Sequence, residues 1–333
     1  EKRRFVLKHR VLMIEPTIQP IGVEMLRESC DVVLGQDGSE AGLIRQINEH
    51  QIDALVTRAE QVTRKVIESC PSLKVIGQYG VGLDNIDVAA ASENGVMVLN
   101  VPDGNFISVA EHVMLSVLCL SRMVVNADHA VRAGEWSAYR EAHSPQEIYE
   151  KTLLIIGFGR IGRDVAAKAQ AFGMKVMAFD PFVTAGQMAA LGVTKADPLE
   201  AGLREADYVT IQLHLTPETR GMISTEQFRQ MKPTASLINL SRGPVVDQKA
   251  LYQALVDHEI ASAMLDVLEK EPPEQDEPLL SLPNVILTPH LGGNTVDALI
   301  RISKILARTV FEALETGDSY NFANKKMIQN KRV

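Results

Sequence analysis

Three ionisable side chains stand just beyond apolar, strand-like runs. Arg242 lies in Leu240-Ser-Arg-Gly-Pro244, Glu271 in the segment Leu265 to Pro273, and His290 in Leu287-Thr-Pro-His-Leu-Gly-Gly293. An imidazole titrates near neutrality and can pass a proton. A planar, permanently charged guanidinium can grip a carboxylate. A carboxylate beside an imidazole favours the imidazolium form. Ligands of open α/β sheets bind outside the carboxyl ends of the strands, so the three residues could converge on one crevice. Taken singly, each has a plainer reading: a structural ion pair for Arg242, a solvated acidic loop for Glu271, a satisfied core imidazole for His290.

A second pattern sits upstream. The strand-like run Thr152–Ile156 leads into Gly157-Phe158-Gly159-Arg160-Ile161-Gly162, and a helical pattern through Val165 and Ala169 follows, ending near Gly173. The glycine spacing alone is weak; strand before and helix after make it a dinucleotide fingerprint. Gly157 allows a tight turn, Gly159 a close approach to a pyrophosphate, and Gly162 close helix–strand packing. The helix start offers unpaired N–H groups to phosphate. The next strand pattern, Lys175–Phe179, ends in Asp180, where an acid grips ribose hydroxyls and repels a 2′-phosphate. No arginine follows in Pro181-Phe-Val-Thr-Ala185, which favours NAD over NADP.

The elements that must position these residues read as two α/β series. Arg10–Ile14, Asp31–Leu34, Asp53–Thr57, Lys74–Gly77 and Met97–Leu99 are short apolar runs, separated by helical stretches such as Ile21–Ser29 and Glu40–His50. Strands alternating with helices imply parallel sheets. An amphipathic stretch from Asn105 to about Asn126 follows. A break holding Trp136, the only tryptophan, and a polar connection then lead to Lys151. The second series comprises Thr152–Ile156, Lys175–Phe179, Asp207–Ile211, Ser236–Asn239, Ala261–Val267 and Val285–Thr288. A last helix spans about Thr295 to Thr316, with Asn294 as N-cap and Gly317 at its end. The basic tail Lys325–Val333 reads as frayed or a surface arm.

Composition narrows the class. With 42 acidic against 34 basic residues in 333, the formal charge is −8, which argues against a nucleic-acid partner. No apolar run approaches the roughly 18 residues of a membrane span, so no membrane partner is expected. The N-terminus carries no signal-peptide core. Cys30, Cys70 and Cys119 are scattered and odd in number, which points to a reducing, cytoplasmic setting. No metal site is expected: Glu111-His112 lacks a second histidine four residues on, and Asp84, Asn85 and Asp87 read as turn and cap groups.

Six motifs together resemble the D-isomer-specific 2-hydroxyacid dehydrogenase family over roughly residues 10 to 317. They are Gly80-Val-Gly-Leu-Asp-Asn-Ile-Asp87, Gly157 to Gly162, Thr216-Pro-Glu-Thr219, Asn239-Leu-Ser-Arg-Gly243, Asp266 to Pro272, and Thr288 to Gly293. The resemblance implies two doubly wound parallel-sheet domains: an NAD-binding Rossmann domain, 105–291, inserted into a flavodoxin-like substrate domain, 1–104 and 292–333. It implies Arg242, Glu271 and His290 as the catalytic set, with His290 as acid and base, Glu271 as its partner and Arg242 on the substrate carboxylate. Val81 and Gly82 amides complete the carboxylate pocket, and Asp266 partners the nicotinamide carboxamide. A homodimer, with 124–149 as candidate interface, is also implied.

Two stretches depart from the family pattern. Gln212-Leu-His214 stands where many members read His-x-Pro, which leaves the cofactor contact of His214 open. Gln78-Tyr79 replaces the commoner Arg-Ala and suggests a differently shaped substrate pocket. The implied reaction interconverts a D-2-hydroxy acid and a 2-oxo acid, 3-phosphoglycerate dehydrogenase-like or glyoxylate/hydroxypyruvate reductase-like, with Arg58 a candidate contact for substrate phosphate. Formate- or phosphite-type oxidation and an NAD-sensing corepressor-like role are the alternatives. Glu271, where formate enzymes carry Gln, argues against formate.

Overall fold

The computed structural model describes residues 8–14 and 18–332. The first seven residues, read above for a signal-peptide core, lie outside the described residues, as does Val333 of the tail. The chain divides into two compact units, Glu1–Asn105 with Thr295–Val333, and Phe106–Asn294. Each contains one wholly parallel sheet.

The discontinuous unit holds β1 (Arg10–Ile14), β2 (Asp31–Gly35), β3 (Ala54–Thr57), β4 (Val75–Gln78) and β5 (Met97–Leu99), in the order β2-β1-β3-β4-β5. That is the flavodoxin-like order. Every residue of β3 and β4 is buried, so these strands read as apolar runs rather than alternating ones. The helix Val296–Thr316 buries Ala298, Ile302, Leu306, Val310 and Ala313 along one stripe. It lies directly on β4: a Cβ on Gly77 would come within 2.9 Å of Val310 Cγ2. Its N-cap is Thr295, whose hydroxyl accepts from the Ala298 N–H at 3.1 Å, not Asn294. Gly317 ends it with φ of 68°.

The residues just before the basic tail pair with β5, while the tail itself lies largely exposed, a surface arm whose end is docked rather than frayed. Ala323 donates to Val98 O at 2.8 Å, and Phe322 bridges Leu99 in antiparallel fashion. Asn324 is fully buried; its Oδ1 accepts from Val98 N–H at 2.8 Å and its Nδ2 donates to Val96 O at 3.0 Å. The Arg332 guanidinium donates to the carbonyls of Cys70 and Leu73. The segment thus seals edge strand β5, an edge that would otherwise present unpaired backbone groups.

The continuous unit holds β6 (Thr152–Ile156), β7 (Lys175–Phe179), β8 (Thr194–Lys195), β9 (Tyr208–Ile211), β10 (Ser236–Asn239), β11 (Ser262–Leu265) and β12 (Val285–Leu287), ordered β12-β11-β10-β9-β6-β7-β8. The chain winds outward from β6 through β8, then restarts at β9 on the other side. The crevice of a doubly wound sheet lies at that reversal. Leu154 and Ile156 enter one core while Leu153 and Ile155 enter the other, so both faces are covered. The amphipathic stretch is two helices, Phe106–Arg122 and Val124–Arg132, broken at Met123 with φ of 53°. The polar connection contains a further helix, Trp136–Ala142. No single described helix is long and apolar enough to cross a membrane.

Candidate active site

The glycine turn leaves β6 as the spacing requires. Gly157 has φ of 97°, and a Cβ there would stand 2.4 Å from Gln212 O, so only glycine fits. A Cβ on Gly162 would stand 2.3 Å from Gly157 O, which is how helix Arg160–Ala171 packs against the turn. A Cβ on Gly159 would meet nothing within 4 Å. That open space lies at the start of the helix, whose N-cap, Gly159 itself, provides no side-chain cap. The first N–H groups of a helix have no intrahelical acceptor. Beside the turn, Gln212 Oε1 is buried with no hydrogen-bond partner among the described residues. An open cradle at a helix start, beside an orphaned acceptor, fits a dinucleotide.

The other fingerprint residues divide. Asp180 is half-buried at the end of β7; its carboxylate accepts from the Phe158 N–H at 2.9 Å and the Phe182 N–H at 2.8 Å. These bonds fix the acid beside the turn and leave acceptor positions for hydroxyls. Phe158, expected among the cofactor contacts, instead has a fully buried ring, and its carbonyl accepts from Arg163 Nε at 3.2 Å. It supports the turn from behind. Ile161 packs half-buried against the same core. Arg160 is exposed at the first helical position, and His214 is exposed after β9.

Arg242, Glu271 and His290 follow β10, β11 and β12, three adjacent parallel strands, so all three leave the same sheet edge. His290 Nδ1 lies 2.7 Å from Glu271 Oε2. Burial pushes the Glu271 carboxyl up, but the His290 hydrogen bond and charge, with help from the Leu268 N–H and Arg242, carry it below the usual range. An ionised Glu271 can only accept, so Nδ1 carries the hydrogen and Nε2 is the nitrogen that exchanges a proton. The Glu271 hydrogen bond raises the His290 pKa above its ordinary value, against burial and the nearby Arg242. The His290 side chain is 52% exposed.

The loop carrying His290 is strained and held. His290 has φ of 53°, a left-handed conformation that costs a non-glycine residue of order 1–3 kcal/mol. Its N–H donates to Asp266 O at 2.9 Å. The 3% exposed Asp266 carboxylate accepts from Thr288 Oγ1 at 2.6 Å, Leu291 N–H at 2.7 Å and Gly292 N–H at 2.7 Å. Three of its roughly four acceptor positions are therefore spent on the turn. Asp266, expected beside the carboxamide, is first of all the brace of the His290 loop.

Arg242 is half-buried at the start of the 3-10 turn Gly243–Val245, with Nη1 donating to Ser241 O at 2.8 Å. Sequence reasoning missed Asn239, which organises this turn. Its Oδ1 accepts from Ser241 N–H and Oγ, and its Nδ2 donates to Arg242 O at 3.0 Å. An amide ending a buried strand was the available signal. A Cβ on Gly243 would stand 2.0 Å from Leu268 O, so this glycine seats the Arg242 turn on the loop that leads to Glu271.

In the other unit, Val81 and Gly82 follow β4. Asn100 Nδ2 donates to Val81 O at 2.7 Å and Val101 N–H donates to Gly80 O at 2.7 Å. Among the described residues neither the Val81 nor the Gly82 N–H has an acceptor. Tyr79 does not shape an open pocket. It is 3% exposed, and its hydroxyl donates to Leu299 O, with Ser303 Oγ at 2.8 Å. No group of three or more potential metal ligands occurs among the described residues.

Comparison with known proteins follows the same lines. Residues 114–292 match the family model of the D-isomer specific 2-hydroxyacid dehydrogenase NAD-binding domain. A D-3-phosphoglycerate dehydrogenase of Methanocaldococcus jannaschii is 39% identical, over 97% of this chain but 61% of that protein. The chain thus spans about half to three-fifths of the first phosphoglycerate dehydrogenase relatives. A glyoxylate reductase of Pyrococcus furiosus is 38% identical, over 96% of this chain and 97% of that one. The crystal structure of an NADPH-dependent glyoxylate/hydroxypyruvate reductase from Sinorhizobium meliloti superposes with a TM-score of 0.85 at 26% identity, covering 98% and 100% of the two chains. With the matched domain and the full-length relative in agreement, the chain belongs to the D-isomer specific 2-hydroxyacid dehydrogenase family.

Proposed function

We propose that this protein is an NAD-dependent enzyme interconverting a 2-oxo acid and a D-2-hydroxy acid, of the glyoxylate/hydroxypyruvate reductase or 3-phosphoglycerate dehydrogenase kind. The observation that carries the reading is the 2.7 Å His290–Glu271 pair, on the same sheet edge as the glycine turn.

The turn at Gly157–Gly162 and Asp180 would hold the dinucleotide, and a bound reduced nicotinamide supplies hydride to the substrate carbonyl carbon. The chain's own residues do the rest. His290 Nε2 gives a proton to the carbonyl oxygen in reduction and takes it back in oxidation. Glu271 holds the hydrogen on Nδ1 and steadies the imidazolium. Arg242 binds the substrate carboxylate and polarises the carbonyl. The Val81 and Gly82 N–H groups of the other unit are donors of the kind a carboxylate takes. Asp180 favours NAD over NADP, since a carboxylate repels a 2′-phosphate.

Partners and setting follow the same reading. Val124, Val131, Trp136 and Tyr149 are exposed apolar residues in the segment 124–149 and support a homodimer through it. Cys30, Cys70 and Cys119 are all free thiols, which fits a reducing, cytoplasmic setting. The test is NADH oxidation against glyoxylate, hydroxypyruvate, pyruvate, 2-oxoglutarate and 3-phosphohydroxypyruvate, repeated with NADPH. Turnover of one acid, lost in His290→Ala, is expected. Tight NADH binding without turnover of any acid would overturn the reading.

A further inference from the structure

Beyond β3, the chain makes a turn that a carboxylate holds together. Glu60 Oε2 accepts from Thr57 Oγ1 at 2.8 Å, Arg58 N–H at 2.8 Å and Ala59 N–H at 3.2 Å. Successive backbone N–H groups of this kind form a concavity suited to an anion. Here the protein supplies the anion itself. Space is reserved for it: a Cβ on Gly38 would lie 2.7 Å from Glu60 Cγ. The turn is tied to the one beyond β4. Asn85 Nδ2 donates to Glu60 O at 2.9 Å and to Gln78 Oε1 at 3.2 Å, and Gln78 Nε2 donates to Arg58 O at 2.9 Å. Gln78 is followed, after Tyr79, by Gly80-Val81-Gly82, the turn whose Val81 and Gly82 N–H groups have no acceptor among the described residues and suit a substrate carboxylate. The cation of this edge, Arg58, stacks over Tyr79 at 5.9 Å and is itself engaged.

We infer that Glu60 determines specificity by setting a fixed negative charge beside the substrate turn, which restricts the enzyme to 2-oxo acids without a second, distal anionic group. The inference rests on the reaction proposed above and names its substrate class. A distal phosphate of about two negative charges meets an occupied N–H concavity and a carboxylate at the edge where a phosphate-binding enzyme needs open donors. A hydroxymethyl or hydrogen substituent meets no such cost.

The experiment compares kcat/KM for 3-phosphohydroxypyruvate with that for hydroxypyruvate, in the unchanged protein and in Glu60→Gln, with NADH. The amide can still accept from the turn but carries no charge. The unchanged protein should prefer hydroxypyruvate, and the substitution should raise the relative kcat/KM of the phosphorylated acid by about tenfold, mostly through KM. Equal use of both acids by the unchanged protein, or an unmoved ratio in Glu60→Gln with NADH binding intact, would overturn the assignment. Should the variant fail to fold, salt decides. Screening a repulsive charge raises the phosphorylated acid's relative kcat/KM in the unchanged protein, whereas a falling ratio means the site attracts phosphate and sinks the inference. Turnover of neither acid, with NADH bound, counts against the reaction rather than against Glu60.

Discussion

At the carboxyl edge of β10, β11 and β12 the side chains are charged and engaged with one another: Glu271 on His290, and Asp266 on the backbone of the His290 loop. At the carboxyl edge of β4 neutral amides do the positioning, with Gln78, Asn85 and Asn100 holding a turn whose Val81 and Gly82 N–H groups have no acceptor among the described residues. In the proposed reaction the first edge is the one that changes protonation state, and its titrating residue, His290, sits in a strained left-handed conformation. The second is built to hold a fixed set of donors. Damage to the first should therefore register in turnover and pH dependence, and damage to the second in substrate affinity.

The sharpest way to break that contrast is His290→Ala. Loss of the proton donor should lower kcat by roughly 10²–10⁴-fold while NADH affinity is kept. A KM effect of that size with kcat intact would move His290 to the binding side. Gly157→Ala comes next. Its φ of 97° and the 2.4 Å approach to Gln212 O leave no room for a methyl group. The expected result is a loss of about 1–3 kcal/mol of stability, with weakened NADH binding, read by thermal unfolding and fluorescence titration. Glu271→Gln should move the pH profile. The raised His290 pKa keeps the imidazolium, and so reduction, up to the raised value, with activity falling as pH rises through it. Removing the anionic partner lowers that pKa, so the alkaline limb shifts to lower pH. An unmoved limb would leave Glu271 a merely structural group. The smallest effect belongs to Gly80→Ala. A Cβ there has only Gln78 Nε2 near it, at 3.8 Å, an ordinary contact. KM should change less than about threefold and stability by under about 0.5 kcal/mol. A loss as large as that of Gly157→Ala would mean the two glycine turns are alike after all.

The same contrast explains what could be read in advance. Strands β6, β7 and β10 of the continuous unit are apolar runs bounded by polar residues, so they fall where the pattern puts them. Glycine spacing, which is a backbone constraint, points directly to the turn after β6. Side chains whose partners are remote in sequence were not legible. Tyr79 turns inward because Leu299 and Ser303 await it some 220 positions away. Just before the polar tail, Asn324 is buried because its amide substitutes for a neighbouring strand along β5. Strand β8, two residues long, is too short to show any period. Asp266 was expected beside the cofactor, but its brace on the His290 loop depends on three donors that only the folded turn brings together.

Helix Val296–Thr316 covers β4 so closely that Gly77 has no room for a side chain. Seen from the ribosome, that contact sets an order of events. The first 105 residues leave the exit tunnel long before the helix that closes their sheet. At about 5–20 residues per second, the 189 residues between Asn105 and Thr295 take about 10–40 s to synthesise. For that interval the inserted unit can fold and bind its dinucleotide, while the nascent half-domain before it still exposes the sheet face that awaits Leu306 and Val310. A chain stopped between Asn294 and the last helix would therefore carry a complete inserted unit tethered to an unfinished partner.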